Sequence, residues 1–135
     1  MGFAMTLHPE KILWIRRGEG AAASGRVPEN APYFQDHFPR FPVLPGVLAL
    51  EILKRIAEDY LIRKEGRQGA RWKIAQYSGV RFSAYLRPGD EWEAKLEPSG
   101  TEGARMRWKG NLSSRGKLAA QAAFILEPAD LKSAK

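Results

Sequence analysis

The sequence contains no cysteine and no long apolar run, and both absences narrow the possible functions. Without cysteine the chain has no disulfide framework, no thiolate zinc site and no cysteine nucleophile. No segment approaches the roughly 20 apolar residues that a membrane-spanning helix needs, and the N-terminus lacks the apolar core of a signal peptide. We therefore expect a cytoplasmic protein without a membrane span.

Histidine and acidic residues are also scarce. The 135 residues include 2 histidines, and 22 lysines and arginines outnumber 15 aspartates and glutamates, for a net charge of +7. A basic surplus favours acidic partners. The basic residues are spread along the chain rather than concentrated in a run, which argues against nucleic acid. This length predicts a single domain over residues 1–135, with flexible ends at about 1–8 and 128–135.

The order of strand and helix patterns predicts an α+β fold. Residues 12–27 are typical of two short strands around a Gly-Glu-Gly turn, and five prolines make residues 28–46 irregular. Apolar residues at three- and four-residue spacing predict one long helix from Gly46 to Glu65. Four strand-like segments follow, with turn compositions such as residues 98–103 between them. These segments are 71–86, 91–97, 104–113 and 117–126. An antiparallel sheet packed on one helix satisfies this order.

The start of the predicted helix has no capping side chain. The stretch Val43-Leu44-Pro45-Gly46-Val47 offers none of the Ser, Thr, Asp or Asn side chains that usually accept hydrogen bonds from the first amides of a helix. The amides of Gly46 and Val47 are therefore available to an anion or to a polarised carbonyl oxygen. Glycine at position 46 would let that oxygen approach the backbone closely.

One histidine and one glutamate flank this helix start. Glu51 would lie beside the apolar stripe, roughly 7.5 Å beyond Gly46 along the helix axis, where aliphatic neighbours favour a protonated carboxyl. His37 is the natural general base near neutrality. A base, an acid and a polarising amide suit removal of a proton next to a carbonyl and loss of a β-substituent. Singly, His37 also fits a surface loop, and Glu51 an ion pair with Arg55. The two residues suggest no metal site, because no third ligand accompanies them.

The stretch from His37 to Glu51 resembles the active-site segment of the β-hydroxyacyl-acyl-carrier-protein dehydratases. The shared features are His37-Phe38-Pro39, Pro42-Val43, Pro45-Gly46-Val47-Leu48 and a helical glutamate 14 positions after the histidine (51 − 37 = 14). Two later segments, GVRFSAYLRPGDEWEAKLE and GKLAAQAAFIL, resemble strands of the same enzymes. The similarity covers residues 28–126.

The resemblance implies the hot-dog fold, in which a curved antiparallel sheet wraps one long central helix. It also implies reversible dehydration of a 3-hydroxyacyl thioester to a trans-2-enoyl thioester, in fatty-acid or specialised lipid synthesis, without metal or cofactor. His37 would take the C2 proton and Glu51 would protonate the departing hydroxyl. The amides of Gly46 and Val47 would polarise the thioester carbonyl. The substrate loop would include Phe38, Pro39 and Pro45.

The same resemblance implies two partners. An acidic acyl carrier protein would deliver the substrate on phosphopantetheine to this basic chain, and a second copy would complete a homodimer with active sites shared between subunits. Assembly beyond the dimer stays open.

Two departures from the family pattern keep alternatives open. Asp36 replaces the glycine before the histidine, and Arg55 replaces a glutamine four residues after Glu51. The alternatives are a hot-dog thioesterase or coenzyme A hydratase, and a non-catalytic subunit that binds the carrier protein. A nucleic-acid-binding module that uses Trp72 and Trp108 is a further alternative, although alternating strand patterns explain both rings as core or edge residues.

Overall fold

The computed structural model describes residues 9–28, 46–66 and 71–129, which contain six strands and one helix. In chain order these elements are β1 (Lys11–Arg16), β2 (Gly20–Arg26), α1 (Gly46–Glu65), β3 (Trp72–Phe82), β4 (Glu91–Glu102), β5 (Arg105–Ser114) and β6 (Lys117–Pro128). No helix in these three ranges is long and apolar enough to cross a membrane.

The six strands form one antiparallel sheet in the order β1-β2-β4-β5-β6-β3. Strand β3 therefore lies at one edge of this sheet, where β6 is its neighbour among the described strands. Helix α1 packs against the inner face of this sheet, so the α+β architecture predicted from the sequence is confirmed.

The core lies between the helix and the sheet. The helix contributes a buried face in which apolar residues recur every three or four positions, because 3.6 residues make one turn. Its members are Leu48, Ala49, Ile52, Leu53, Ile56, Ala57, Tyr60 and Leu61. Strands β4 and β5 alternate buried and exposed residues, as expected of a sheet with one wet face.

Three tryptophans fill much of the sheet side of this core. Trp72, Trp92 and Trp108 are exposed by 6%, 2% and 0%, respectively. Gly25 makes room for one of them, because a Cβ atom at this glycine would lie 2.5 Å from the Trp92 ring. Since Trp72 and Trp108 are buried, neither ring is available to stack on a base, which argues against the nucleic-acid alternative.

The element boundaries follow the sequence prediction except in the strands that come after helix α1 in the chain. Helix α1 begins at Gly46 and ends at Glu65 as predicted, and Gly66 follows it with a φ of 66°. The turn predicted over residues 98–103 is wrong, because β4 continues to Glu102. A bulge within 98–100 accommodates the proline and the glycine, which break the regular ladder without ending the strand. Strand β6 extends to Pro128, beyond the end at residue 126 that the sequence predicts.

Strand β3 departs twice from simple alternation. Within residues 74–76 and again within 78–81, β3 contains one residue more than the facing segment of β6. Each extra residue reverses the alternation of side chains along the strand. Residues five positions apart on a regular strand face opposite sides of the sheet. Because of the second bulge, Tyr77 and Phe82 instead face the same side, and both pair with buried residues of β6.

A buried phenol ties the helix to the first hairpin. The Tyr60 hydroxyl accepts a hydrogen bond of 2.7 Å from the Gly18 amide in the turn between β1 and β2. The Tyr60 ring packs edge-on against Trp108, with ring centroids 5.2 Å apart.

Replacing Tyr60 by phenylalanine keeps this ring packing and removes the hydrogen bond. We expect the free energy of unfolding to fall by about 1 kcal/mol, because the partly buried Gly18 amide loses its partner. Urea denaturation measures the change. The matched control is Tyr85→Phe, since that ring is 75% exposed. Equal stability of Tyr60→Phe and the wild type would contradict the assigned role.

Candidate active site

The site residues predicted from the sequence divide into two groups. His37 and the loop residues Phe38, Pro39 and Pro45 lie outside the described residues. Gly46, Val47 and Glu51 occupy the first turns of helix α1. The structure therefore gives the surroundings of the predicted acid and amides, whereas the predicted base stays a prediction.

Glu51 is half-buried on helix α1. Its carboxylate makes no hydrogen bond or ion pair with any described residue, and the nearby Lys54 ammonium instead pairs with Glu58 at 3.7 Å. The ion pair with Arg55 that the sequence allowed is not formed. The Arg55 Nε atom is buried and has no hydrogen-bond partner among the described residues.

The Glu51 carboxylate acts electrostatically on two neighbours. Burial raises the pKa of the Tyr77 phenol, and the Glu51 charge raises it further. Burial also raises the pKa of Glu58; the cations of Lys54 and Arg55 oppose that rise, and the Glu51 charge adds to it. The Glu51 charge therefore acts on a tyrosine of β3 as well as on a glutamate of its own helix.

The sequence analysis did not single out Tyr77 of β3, although the Glu51 charge helps to raise the pKa of its phenol. It faces the helix side of the sheet and contacts the buried Phe124 of β6, with ring centroids 6.0 Å apart and an interplanar angle of 60°. The bulge that turns Tyr77 to this side lies within residues 74–76, which contain no glycine, so the sequence carried no signal for it. Gly79 lies in the second bulge, within 78–81, where glycine is typical.

The helix start lies against the end of strand β3. A Cβ atom at Gly46 would be 2.8 Å from the tip of the Phe82 ring, so only glycine fits without displacing that ring. No side chain among the described residues caps the amides of Gly46 and Val47, and no acidic side chain occupies the first turn. The Val47 side chain is 71% exposed.

A small apolar cavity of about 230 Å³ opens beside this helix start. Its walls come from the helix, from the end of β3 and the segment after it, and from β6. The lining residues are Gly46, Ala49, Phe82, Ala84, Tyr85, Leu86, Ala119 and Ala120. Uncapped amides next to an apolar cavity suit a ligand with a polar carbonyl and an apolar tail.

The segment between β3 and β4 holds one wall of this cavity in place. The Asp90 carboxylate is buried and accepts hydrogen bonds from the Arg87 amide at 2.9 Å and from the Arg115 guanidinium at 2.7 Å. The Gly89 amide donates to the Val27 carbonyl at 2.8 Å. These bonds fix the Pro-Gly-Asp turn that follows the buried Leu86.

A larger groove of about 600 Å³ crosses the other face of the sheet. Its side chains are largely polar or charged and include Arg16, Lys95 and Lys109. On β4 and β5 these residues alternate with the buried ones and so point away from helix α1. The groove is therefore separate from Glu51. Nowhere in the described ranges do three or more His, Asp or Glu side chains cluster closely enough to hold a metal ion.

Comparison with known proteins decides the family. The family model described as ApeI-like, for the ApeI dehydratase, matches residues 15–121. The chain belongs to the ApeI-like dehydratase family. The dehydratase resemblance inferred from the sequence is thereby confirmed.

Two curated relatives are also dehydratases. The 3-hydroxyacyl-[acyl-carrier-protein] dehydratase FabZ of Oceanobacillus iheyensis is 33% identical over 113 residues, which cover 84% of this chain and 81% of the relative. FabZ of Bacillus velezensis is 31% identical over 116 residues, which cover 84% of this chain and 80% of the relative.

Solved structures confirm the hot-dog fold of this dehydratase. The dehydratase heterocomplex ApeI:P from Xenorhabdus doucetiae matches with a TM-score of 0.73 at 16% identity, over 93% of this chain and 84% of that chain. A hypothetical thioesterase with coenzyme A from Streptococcus pneumoniae TIGR4 matches with a TM-score of 0.67 at 14% identity, over 92% of this chain and 93% of that chain. At these identities the likenesses show the fold alone.

The contact between Gly46 and Phe82 is testable with a double-mutant cycle. We expect Gly46→Ala to lower the free energy of unfolding by about 1 kcal/mol, because the added methyl group collides with the ring. In a Phe82→Ala background the same change should cost nothing or stabilise, because alanine favours helix over glycine. Equal effects of Gly46→Ala in both backgrounds, measured by urea denaturation, would show that the two residues are not in contact.

Proposed function

We propose that this dehydratase reversibly converts 3-hydroxyacyl thioesters carried on acyl carrier protein to trans-2-enoyl thioesters, in fatty-acid or specialised lipid synthesis. One observation carries the proposal. In a chain of the dehydratase family, one helix begins with two uncapped amides next to an apolar cavity that Gly46 lines, and it carries a half-buried glutamate in its second turn.

The reaction needs one base and one acid. His37 takes a proton from C2, the double bond forms between C2 and C3, and the C3–O bond breaks. Glu51 donates a proton to the departing hydroxyl, which leaves as water. His37 then carries the proton that came from C2, and proton exchange with solvent returns both groups to their starting states.

The thioester carbonyl gains negative charge as the C2 proton leaves. The amides of Gly46 and Val47 and the positive end of helix α1 stabilise that charge. The Phe82 ring fills the space that a side chain at position 46 would take, and so closes one side of the helix start. By the family resemblance we assign Phe38, Pro39 and Pro45 to the substrate loop around His37.

The positive charge of this chain and the names of two relatives support acyl carrier protein as the carrier of the substrate. Two relatives bear the name 3-hydroxyacyl-[acyl-carrier-protein] dehydratase. A net charge of +7 favours an acidic carrier protein in the cytoplasm, where we expect the enzyme.

We further propose a homodimer joined through strand β3, with active sites shared between the two copies. The outer edge of β3 has no strand partner within the described part of the chain, and residues Ala75–Phe82 are all exposed. Its apolar side chains include Val80, which is 39% exposed. An unpaired apolar edge strand is a template for pairing with another chain.

Activity is testable by hydration of trans-2-enoyl thioesters of several chain lengths, followed as loss of enoyl absorbance. We expect His37→Ala and Glu51→Gln each to lower kcat/KM roughly 100-fold or more, since each removes a proton-transfer group. The matched control is Glu58→Gln, which makes the same chemical change two turns further along α1.

Three results would contradict the proposed function. Full activity of Glu51→Gln would remove the assigned acid. Release of free acid from a saturated acyl thioester would favour a thioesterase. Binding of acyl carrier protein without turnover would favour a non-catalytic subunit.

The proposed dimer is testable by sedimentation velocity. We expect Val80→Arg to convert the dimer to monomers and to reduce turnover with it, because a charge replaces an apolar contact at the pairing edge. The control is Leu13→Arg, at a residue of β1 on the opposite edge that is 40% exposed. A wild-type monomer, or a Val80→Arg dimer, would contradict this interface. A wild-type protein active only with a different hot-dog subunit would favour a heterocomplex.

A further inference from the structure

We propose that Phe82 is a specificity-determining residue, whose ring limits the length of the acyl chain that the enzyme binds. This inference rests on the proposed function, in which the amides of Gly46 and Val47 hold the thioester carbonyl. The rest of the acyl chain then needs an apolar site within reach of those amides. The apolar cavity that Gly46 and Phe82 both line meets this requirement.

The exposure of its lining residues gives this cavity a rim and a floor. Two aromatic side chains at the rim, Phe82 and Tyr85, are 49% and 75% exposed. The residues of the floor are buried, and they are Ala49, Leu86, Ala119 and Ala120. An acyl chain that enters past the exposed rings therefore ends against side chains of the core.

The Phe82 ring lies where the helix start meets the cavity. A Cβ atom at Gly46 would lie 2.8 Å from Cζ of the ring and 3.1 Å from Cε1 and Cε2. The tip of the ring therefore points at the backbone of the first helical residue. Gly46 and Ala49, three positions apart on the same face of α1, both line the cavity. A chain that extends from the amides into the cavity consequently runs along the Phe82 ring.

Hydrogen bonds hold the segment that follows Phe82 and forms the next part of the wall. The Ser83 and Ala84 amides both donate to the Ala119 carbonyl, at 2.7 and 3.3 Å. The bonds of the Pro-Gly-Asp turn hold the other end of this segment. Because the segment is held at both ends, it resists moving outward to admit a longer chain. The size of the cavity is therefore set by the side chains that line it.

The volume of the cavity gives an approximate limit on chain length. An apolar cavity of about 150 Å³ holds one benzene ring. In proportion, the cavity of about 230 Å³ beside Gly46 has room for roughly nine carbon atoms. We therefore expect acyl chains of medium length to fill it, and the further carbons of longer chains to stay outside it.

This limit is testable by binding, without any turnover. The probes are saturated acyl thioesters of N-acetylcysteamine, which have neither a double bond to hydrate nor a hydroxyl to lose. Isothermal titration calorimetry gives their Kd for the wild-type protein over a series of chain lengths. We expect Kd to fall about fourfold for each methylene that enters the cavity, and to stay level once the cavity is full.

Substitutions in the cavity should move the chain length at which Kd becomes level. Phe82→Ala should move it to longer chains, because the space of the ring becomes available, and Phe82→Leu should move it less. Ala120→Val adds two methyl groups to the floor and should move it to shorter chains. The control is Trp14→Ala, which removes an aromatic ring from the groove on the other face of the sheet and should not move it. The length profile of kcat/KM for enoyl hydration should shift in parallel.

The outcomes separate this inference from the proposed function. The specificity role of Phe82 would be overturned by a Kd that is independent of chain length or falls without limit, by an absence of binding, or by a levelling point that folded Phe82→Ala and Phe82→Leu leave unmoved. A levelling point that moves as expected, in a protein that hydrates no enoyl thioester, would overturn the proposed reaction, whereas the role of Phe82 in acyl binding would stand.

Discussion

The burial of one face of helix α1 against the inner face of the sheet determines every other feature of the molecule. Ile52, Leu53, Ile56 and Leu61 have no exposed surface, and each such side chain stabilises the fold by about 1.5–3 kcal/mol when it leaves water. Because this face is fixed in the core, the positions on its flank are fixed too. Glu51 and the first amides of the helix therefore keep their places without a capping side chain.

Much of this fold could be predicted from residue patterns because those patterns reflect local physics. The 3.6-residue period of α1 and the glycine after Glu65 predicted both ends of the helix. The extent of β4 could not be predicted in the same way. Pro98 and Gly100 are typical of turns, but the antiparallel neighbour β5 pairs with them through a bulge, and this tertiary pairing outweighs local preference.

The residues around the candidate site divide in the same way, into those that the local sequence predicts and those that depend on the folded sheet. A family resemblance was enough to single out His37, Gly46 and Glu51, because these residues lie in one continuous stretch of sequence. Tyr77 is separated from that stretch by the length of the helix, and its direction depends on a bulge that a two-residue period does not predict. The Gly46–Phe82 contact is hidden for a similar reason, since only packing of the helix on the sheet brings these residues together.

The position of β3 in the sheet has a consequence for how the protein is made. Strand β3 ends at Phe82, but its only partner in the described sheet is β6, which begins at Lys117. During synthesis β3 therefore leaves the ribosome before β6, the strand that covers one of its edges, has emerged. During that interval neither edge of β3 is paired, and its apolar side chains are exposed to water. Pairing between segments that are far apart in the sequence is slow. Strand β3, which we assign to the dimer interface, is therefore also the strand most prone to associate with another chain before folding is complete.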